Sequence, residues 1–232
     1  MQKRGVQRSP TLQVIIAALN EEEGIGSTIV ELQKYIHEAK FLVVDGNSID
    51  RTVEVAKNLG AQVIFQERRG KGDAIAKATE NIDEAVDYVV ITDADFTYPA
   101  EYIPKMIRKL EENPDVGMVC GNRFTADLDL RKTHNVFYIG NRLISFSHNF
   151  FNGVQLADPL TGLRVVRAEI LRNWKVKSKG FDIEVELNHL VERTGFGILE
   201  IPIHYRDRLG EKKLKVRHGA TIFWRILLET GN

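Results

Sequence analysis

Short apolar runs alternate with segments of helical spacing through the first half of the chain. Val14–Leu19, Phe41–Val44, Ala61–Phe65 and Tyr88–Thr92 are such runs. Gln62 interrupts the third; where alternation is absent, as in Val89–Thr92, the strand fits burial on both faces. Between them, Gly24–Ala39 sets Ile25, Ile29, Leu32 and Ile36 on one side of a helix. Ser48–Asn58, stopped by Gly60, and Gly72–Ile82 predict two more helices. Strands that alternate with helices in this way predict an α/β fold: a mostly parallel central sheet with helices on both faces.

The second half is less regular. The pattern predicts a helix at Pro99–Glu112, a strand at Val116–Val119, a polar loop at Thr125–His134 and an aromatic-rich helix at Val136–Phe151. A short strand at Leu163–Val166, a helix at Asp182–Arg193 and a strand at Gly197–Tyr205 follow. A very basic loop, Arg206–Val216, leads into an amphipathic helix at His218–Glu229. No linker separates two independent domains. The expectation is one domain, with a nucleotide half over residues 13–121, an acceptor half over 122–217 and a final helix at 218–230.

Composition narrows this picture. The chain has 232 residues, with Lys+Arg 32 against Asp+Glu 32, so its net charge gives no argument for a nucleic-acid partner. Cys120 is the single cysteine, which excludes an intrachain disulfide, and its apolar setting reads as core in a reducing compartment. No apolar stretch reaches the ~20 residues that span a bilayer.

The chemistry gathers where the strands end. In open α/β sheets ligands lie beyond the carboxyl ends of the strands. The fourth run finishes in Asp93 and Asp95, which point the same way in an extended segment and can address one site. Two adjacent carboxylates ionise together when a cation lies between them. Mg²⁺ or Mn²⁺ is the ordinary partner, completed by substrate phosphates; a solvated turn is the plainer alternative. Asn20 and Glu21 follow the first run, and Asp45 ends the second. Arg68–Ala74, RRGKGDA, offers glycines and cations before a helix, either as a phosphate cradle or as a plain turn. Neither GxxxxGK[ST] nor a GxGxxG after the first strand is present, which argues against a P-loop enzyme and a dinucleotide dehydrogenase.

Taken in order, LNEEEG, VVDGNSIDRT, RGKGDA, ITDADFTYPAE, GNRF, ADPLTGLRVVRAEIL, KGFDIEVEL and IHYRDRLGEKKL resemble family 2 glycosyltransferases of the GT-A fold. Within that group the polyprenyl-phosphate hexosyltransferases, such as dolichyl-phosphate mannosyltransferases, are most similar. The resemblance runs from about Gln13 to about Leu214. It implies transfer of a hexose from a nucleotide-sugar, GDP-mannose as first choice, to dolichyl or polyprenyl phosphate, with inversion and with Mg or Mn as cofactor. It implies a nucleotide-sugar site lined by Ala17, Leu19, Glu21, Val43, Asp45, Gly72, Asp93, Ala94, Asp95, Arg123, Arg206 and Lys213. Asp93 and Asp95 are implied as metal ligands, joined by Thr97 where the family often has Gln. Asp93, Asp95, Arg123 and Asp158 are implied at the catalytic centre. Arg123, Arg142, Arg206 and Arg208 are implied for the acceptor phosphate. Lys212 stands where the family's closing loop more often has Ser.

Other residues carry weaker signals. Glu184 and Glu186 suit sugar hydroxyls, but spaced i and i+2 on a helix they cannot share a face, so at most one serves. His134, His148, His189 and His204 lack metal-ligand spacing and read as structural or surface residues. The apolar residues around Arg225 in the final helix predict a peripheral association with a membrane surface, on its cytoplasmic face, while the aromatics at 136–151 fit either that interface or a core helix packed on the sheet. The alternatives are a family 2 transferase using UDP-glucose or UDP-N-acetylglucosamine with a polyprenyl-phosphate or other acceptor, and a non-catalytic nucleotide-sugar-binding module. Oligomeric state has no signature in the sequence.

Overall fold

The computed structural model describes residues 8–124, 142, 144–150, 155–211, 213 and 218–229. The predicted loop at Thr125–His134 and the first part of the aromatic helix lie outside these residues.

Three of the first four apolar runs lie inside one seven-stranded sheet, and Ala61–Phe65, only partly buried, forms an edge of it. The strands are β1 (Leu12–Ala18), β2 (Lys40–Asp45), β3 (Gln62–Phe65), β4 (Tyr88–Asp93), β5 (Val116–Asn122), β6 (Arg164–Arg167) and β7 (Gly197–Pro202). Their order across the sheet is β3-β2-β1-β4-β6-β5-β7. β1 to β4 pair in parallel, as do β5 and β7, while β6 runs antiparallel to both its neighbours. The mostly parallel α/β sheet expected from the sequence is therefore observed.

The helices are α1 (Ile25–Tyr35), α2 (Thr52–Asn58), α3 (Lys71–Thr79), α4 (Ile103–Glu112), α5 (144–150), α6 (Ala168–Leu171), α7 (Ile183–Arg193) and α8 (His218–Glu229). Successive strand residues pack on opposite faces, so two cores form. Val14, Ile16, Val43 and Val90 pack with α1 and α4 residues such as Ile29 and Met106. Ile15, Leu42, Val89 and Ile91 pack with Ile75 of α3 and Leu187 of α7. Burial of each such side chain contributes about 1.5–3 kcal/mol, which explains why runs without alternation became central strands. A third cluster seats Ile222 and Ile226 of α8 on Val185 of α7 and Ile144 of α5.

The helix bounds differ from the periodic pattern in understandable ways. Residues 48–51 are a turn held by side chains rather than the first turn of α2, because Asp45 and Asp50 accept the local N–H groups. Pro99 precedes a 3₁₀ turn at Ala100–Tyr102, and α4 begins only at Ile103. The short α6 was not expected; it redirects the chain after β6 and buries Ile170 and Leu171.

Strand direction sets the location of the site. β1, β2, β4, β5 and β7 all deliver their carboxyl ends to one edge of the sheet, while antiparallel β6 starts there. The ADPLTGLR segment is thereby carried beside the end of β4, with Arg164 opposite Ile91. Arg164 is fully buried and donates to the carbonyls of Thr161 and Pro159 and to Asn188 Oδ1 at 3.0, 2.8 and 2.5 Å. Its guanidinium therefore shapes the turn.

Candidate active site

The Asp-x-Asp segment is a built corner. Phe96 lies in the left-handed region at φ 64°, a conformation that costs a β-carbon residue about 1–3 kcal/mol. Thr28 of α1 stabilises the corner: its hydroxyl donates to the Ala94 carbonyl and accepts from Phe96 N–H, both at 3.1 Å. Gly24 permits that closeness, since a β-carbon there would lie 2.7 Å from the Ala94 oxygen.

The two carboxylates have different surroundings. Lys71, the first residue of α3, reaches Asp93 Oδ1 at 2.6 Å and Glu184 Oε1 at 2.7 Å. Burial pulls the lysine's proton affinity down, but the two carboxylates more than reverse this, and the ammonium stays charged. The other Asp93 oxygen lies over Gly162, where a β-carbon would be 2.5 Å away. Asp95 Oδ1 accepts from the Thr97 hydroxyl and N–H at 2.6 and 3.2 Å, and its Oδ2 is 3.6 Å from Arg208. Burial, then the charge of Asp93, raise the Asp95 pKa above the usual carboxylate range; Thr97 and Arg208 offset this only in part.

This is excess negative charge held by hard oxygen donors, and it fits a divalent cation. Among the described residues no group of three His, Cys, Asp or Glu side chains gathers. The fit is thus to a cation that takes one or two carboxylates and completes its shell with phosphate oxygens and water. Thr97 has its hydroxyl turned to Asp95, where it orients that carboxylate.

The ends of β1 and β2 are braced against each other. Asp45 is fully buried and accepts Ser48 N–H at 2.8 Å and the Ser48 hydroxyl at 2.6 Å. The Ser48 oxygen accepts Asn20 N–H, and Thr52 Oγ1 accepts Glu21 N–H. Ala17 is in register with Asp93, and Leu19 is half exposed above the edge. Val43 places its side chain in the core beneath α1.

The basic loop closes onto these acids. Arg206 forms a two-pronged pair with Glu31 of α1, both contacts at 2.7 Å, and covers the Phe96 ring at 4.5 Å. Arg208 reaches both Glu21 oxygens at 2.8 and 3.0 Å, and Lys213 reaches Glu21 and the Asn20 carbonyl. Burial raises the Glu21 pKa, against the lowering effect of Lys213 and Arg208. The Arg208 Nε–H is buried and has no partner among the described residues. Arg206 is thus spent on Glu31, while Arg208 keeps an unused donor beside Asp95.

Arg123 follows β5 and forks onto Asp158: Nε to Oδ2 and Nη2 to Oδ1, both 2.7 Å, with its own N–H also reaching Oδ2 at 3.0 Å. Burial disfavours its charge, but Asp158 overrides this and holds the group protonated. Tyr205 and Phe124 lie 5.3 and 5.6 Å from the guanidinium. Tyr98 packs edge-on against Tyr205 and accepts Gly162 N–H at 2.7 Å. Arg142, exposed on the aromatic helix, lies 5.8 Å from the same Phe124 ring.

The strand ends thus bring Glu21, Asp93, Asp95, Thr97, Arg123, Asp158, Arg208 and Lys213 to one edge. Gly72 acts locally, because a β-carbon there would fall on the Ser178 carbonyl oxygen; glycine lets α3 meet the 178–180 backbone. Glu186 is consumed by Trp174 Nε1, Lys177 N–H and Ser178 N–H, whereas Glu184 Oε2 is buried with no partner among the described residues. His148 and His189 are buried neighbours, their rings 5.4 Å apart. Glu31 and Glu200 are residues beside the site that the sequence does not single out, and Lys71 is marked there only as part of a segment. Lys71 lies inside RRGKGDA, where a lysine at the start of a helix is signal enough; Glu31 has no local signal.

Comparison with known proteins places this geometry among enzymes. The model of glycosyl transferase family 2 matches residues 13–174. A dolichyl-phosphate hexose transferase of Haloferax volcanii is 36% identical over 206 residues, covering 88% of this chain and 86% of its own. A dolichol-phosphate mannosyltransferase of Pyrococcus furiosus is 28% identical over 91% of this chain, which spans 60% of that relative. Among solved structures, Mycobacterium tuberculosis glucosyl-3-phosphoglycerate synthase in complex with Mn²⁺, UDP-glucose and phosphoglyceric acid superposes with a TM-score of 0.75 at 22% identity, covering 96% of this chain and 80% of its own. At that identity the likeness concerns the fold.

Proposed function

The chain belongs to glycosyl transferase family 2, and we propose that it transfers a hexose from a nucleoside-diphosphate sugar, with GDP-mannose as first choice, to the phosphate of dolichol or another polyprenol. The carrying observation is a pair of valences at the carboxylate corner that no partner among the described residues fills. Arg208 Nε, beside Asp95, is a buried donor suited to a phosphate oxygen, and Glu184 Oε2, beside Asp93 through Lys71, is a buried acceptor suited to a sugar hydroxyl. The 36% identity to a dolichyl-phosphate hexose transferase supports the same reading.

The reaction forms a bond between an acceptor phosphate oxygen and the sugar's anomeric carbon, and breaks the bond from that carbon to the donor's diphosphate. A single in-line displacement inverts the anomeric centre. A phosphate monoester is largely dianionic at neutral pH, so no side chain need remove a proton. A divalent cation held by Asp93 and Asp95 would supply neutralisation of the departing diphosphate. Thr97 keeps Asp95 oriented, and Lys71 holds one oxygen of Asp93. Arg208 and Lys213 offer charge to the diphosphate, Arg123, whose Nε and Nη2 are held by Asp158, offers phosphate the remaining Nη edge of its guanidinium, and Arg206 anchors the loop through Glu31.

The acceptor's lipid requires a membrane surface, and we place the chain at the cytoplasmic face as a peripheral protein. No helix among the described residues is long and apolar enough to cross a membrane. Phe146 and Phe150 stack on α5 at 67% and 72% exposure, and Trp224 of α8 is 62% exposed with Phe223 and Leu228 beside it. Such apolar and aromatic groups suit an interfacial helix pair.

Thermal shift with GDP and with UDP, each with and without Mn²⁺, tests the donor; radiolabelled transfer to dolichyl phosphate tests the acceptor. A Mn²⁺-dependent shift with GDP and label in the lipid phase are expected. A shift with UDP alone would move the donor to UDP-glucose or UDP-N-acetylglucosamine. Neither shift nor transfer would overturn the reading.

A further inference from the structure

We infer that Glu200 is a positioning residue: by accepting two successive main-chain N–H groups it fixes the segment from which Asp158 orients the Arg123 fork. Glu200 lies on β7, in register with Cys120 of β5, and Arg123 follows at the end of that same strand. Its Oε2 accepts Ala157 N–H at 2.8 Å and its Oε1 accepts Asp158 N–H at 2.7 Å. Residues 155–158 belong to no helix or strand, so these N–H groups have no ladder to join. The Asn149 side chain braces the neighbouring residue from α5, donating to the Leu156 carbonyl and accepting Leu156 N–H. Asp158, itself 1% exposed, then grips Arg123 three times.

The choice of a carboxylate here is informative. Glu200 is partly buried near a second negative charge, Asp158, and burial and that charge both push its pKa up, against the two N–H bonds. A group chosen for stability alone would avoid this repulsion. A carboxylate accepts with both of its oxygens, whereas Gln offers one acceptor and meets the second N–H with its own NH₂. Asp has the right charge but is one methylene short of the segment.

The role of Arg123 in transfer rests on the function proposed above, so the test includes a readout that needs no turnover. Solvent exchange of the Arg123 Nε–H is measured by ¹⁵N NMR in the full chain, the signal being assigned by its loss in Arg123→Lys. Glu200→Gln is expected to speed that exchange by about tenfold, the size of one lost buried hydrogen bond, while amides of β1 and β4 keep their wild-type rates. An unchanged Arg123 signal, or an equal acceleration of the β4 amides, would overturn the inference. Glu200→Asp is the second variant and is expected to act in the same direction if Gln folds poorly. With donor and acceptor, Glu200→Gln should lower kcat by about tenfold, leave the donor KM within about twofold, and add little to the loss in Arg123→Lys. Losses that simply add would overturn the coupling. A wild-type protein without turnover would count against the proposed transfer alone, and the exchange rates would still decide the part played by Glu200.

Discussion

Replacing Lys71 by Met would leave Asp93 and Glu184 facing each other with nothing positive between them. The lysine side chain is 11% exposed and that of Glu184 8%, and the two contacts are 2.6 and 2.7 Å long. At an effective dielectric of ~20 each contact is a gross attraction of about 6 kcal/mol. The cost of desolvating all three groups cancels most of it. What survives on deleting one partner of a buried ionic set is a loss of about 3–5 kcal/mol, because the remaining charges stay buried. A loss of that size lowers Tm by about 6–20 °C in a domain of this length, and the chain still folds at 25 °C if its stability lies in the ordinary range. Calorimetry without metal measures the drop. The same experiment with Mn²⁺ carries the sharper expectation: the cation restores positive charge beside Asp93, so the Tm gain from Mn²⁺ plus GDP is larger in the variant than in the wild type. A variant as stable as the wild type, or an equal Mn²⁺ response in both, would refute this account of the corner.

Three further outcomes follow from the same geometry. Asp95→Asn removes a charge whose pKa is raised, so it should stabilise the metal-free protein above the usual Asp range while abolishing the Mn²⁺-dependent shift; parallel melts with and without Mn²⁺ check both signs. Gly162→Ala sets a β-carbon 2.5 Å from Asp93 Oδ2 and 3.0 Å from Tyr98, and should cut turnover by about tenfold or more with a stability loss of about 1–3 kcal/mol; kinetics beside urea melts separate the two. Glu192, pushed up to about 7 by burial, binds more protons folded than unfolded, so its contribution to stability falls as pH rises from its ordinary 4.5 through 7. Glu192→Gln should therefore raise Tm at pH 8 and leave it unchanged at pH 4, where His148 and His189, each lowered to about 4, control acid unfolding instead.

The sequence reads well wherever one short segment carries its own physical reason. Central strands announce themselves as unbroken apolar runs because both faces are covered, and the strand-end acids follow from the sheet rule that places ligands there. What stays hidden is pairing across the fold. Glu31 lies on the polar side of α1 and looks like any solvated helix charge, yet 175 residues later Arg206 closes on it. Glu200 reads as an ordinary strand residue until β5 and β7 are side by side. Arg206 and Arg208 are indistinguishable in a basic loop, and only the structure shows that the first is spent on Glu31 and the second retains a buried, unused Nε–H. Glu184 and Glu186 illustrate the middle case. Helical spacing argues that they cannot serve one ligand together, and the Trp174 and Lys177 bonds then show which of them is committed elsewhere.

The acids of this edge share cations supplied by the chain itself. Lys71 stands beside Asp93, Arg208 beside Asp95 and Glu21, and Lys213 beside Glu21. In the proposed reaction a donor arriving with a cation would bring a diphosphate that competes for the same arginine and lysine, and a positive charge that competes for the same carboxylates. Binding is then an exchange of ion pairs rather than a burial of new charge, which lowers the desolvation cost on both sides. The exchange also orders the events. Arg206 is fastened to Glu31 and stacked on Phe96, so on the proposed reading the loop would keep its anchor while Arg208 and Lys213 turned from protein acids to the diphosphate. Cutting the anchor with Glu31→Gln should therefore weaken donor binding without touching any group at the carboxylate corner. Titration of GDP with Mn²⁺ reads the effect, about three- to tenfold for one charge-assisted pair that is partly exposed. An unchanged affinity would mean that the loop is held by Leu209 N–H on the Asp95 carbonyl and Arg206 N–H on the Thr97 carbonyl alone.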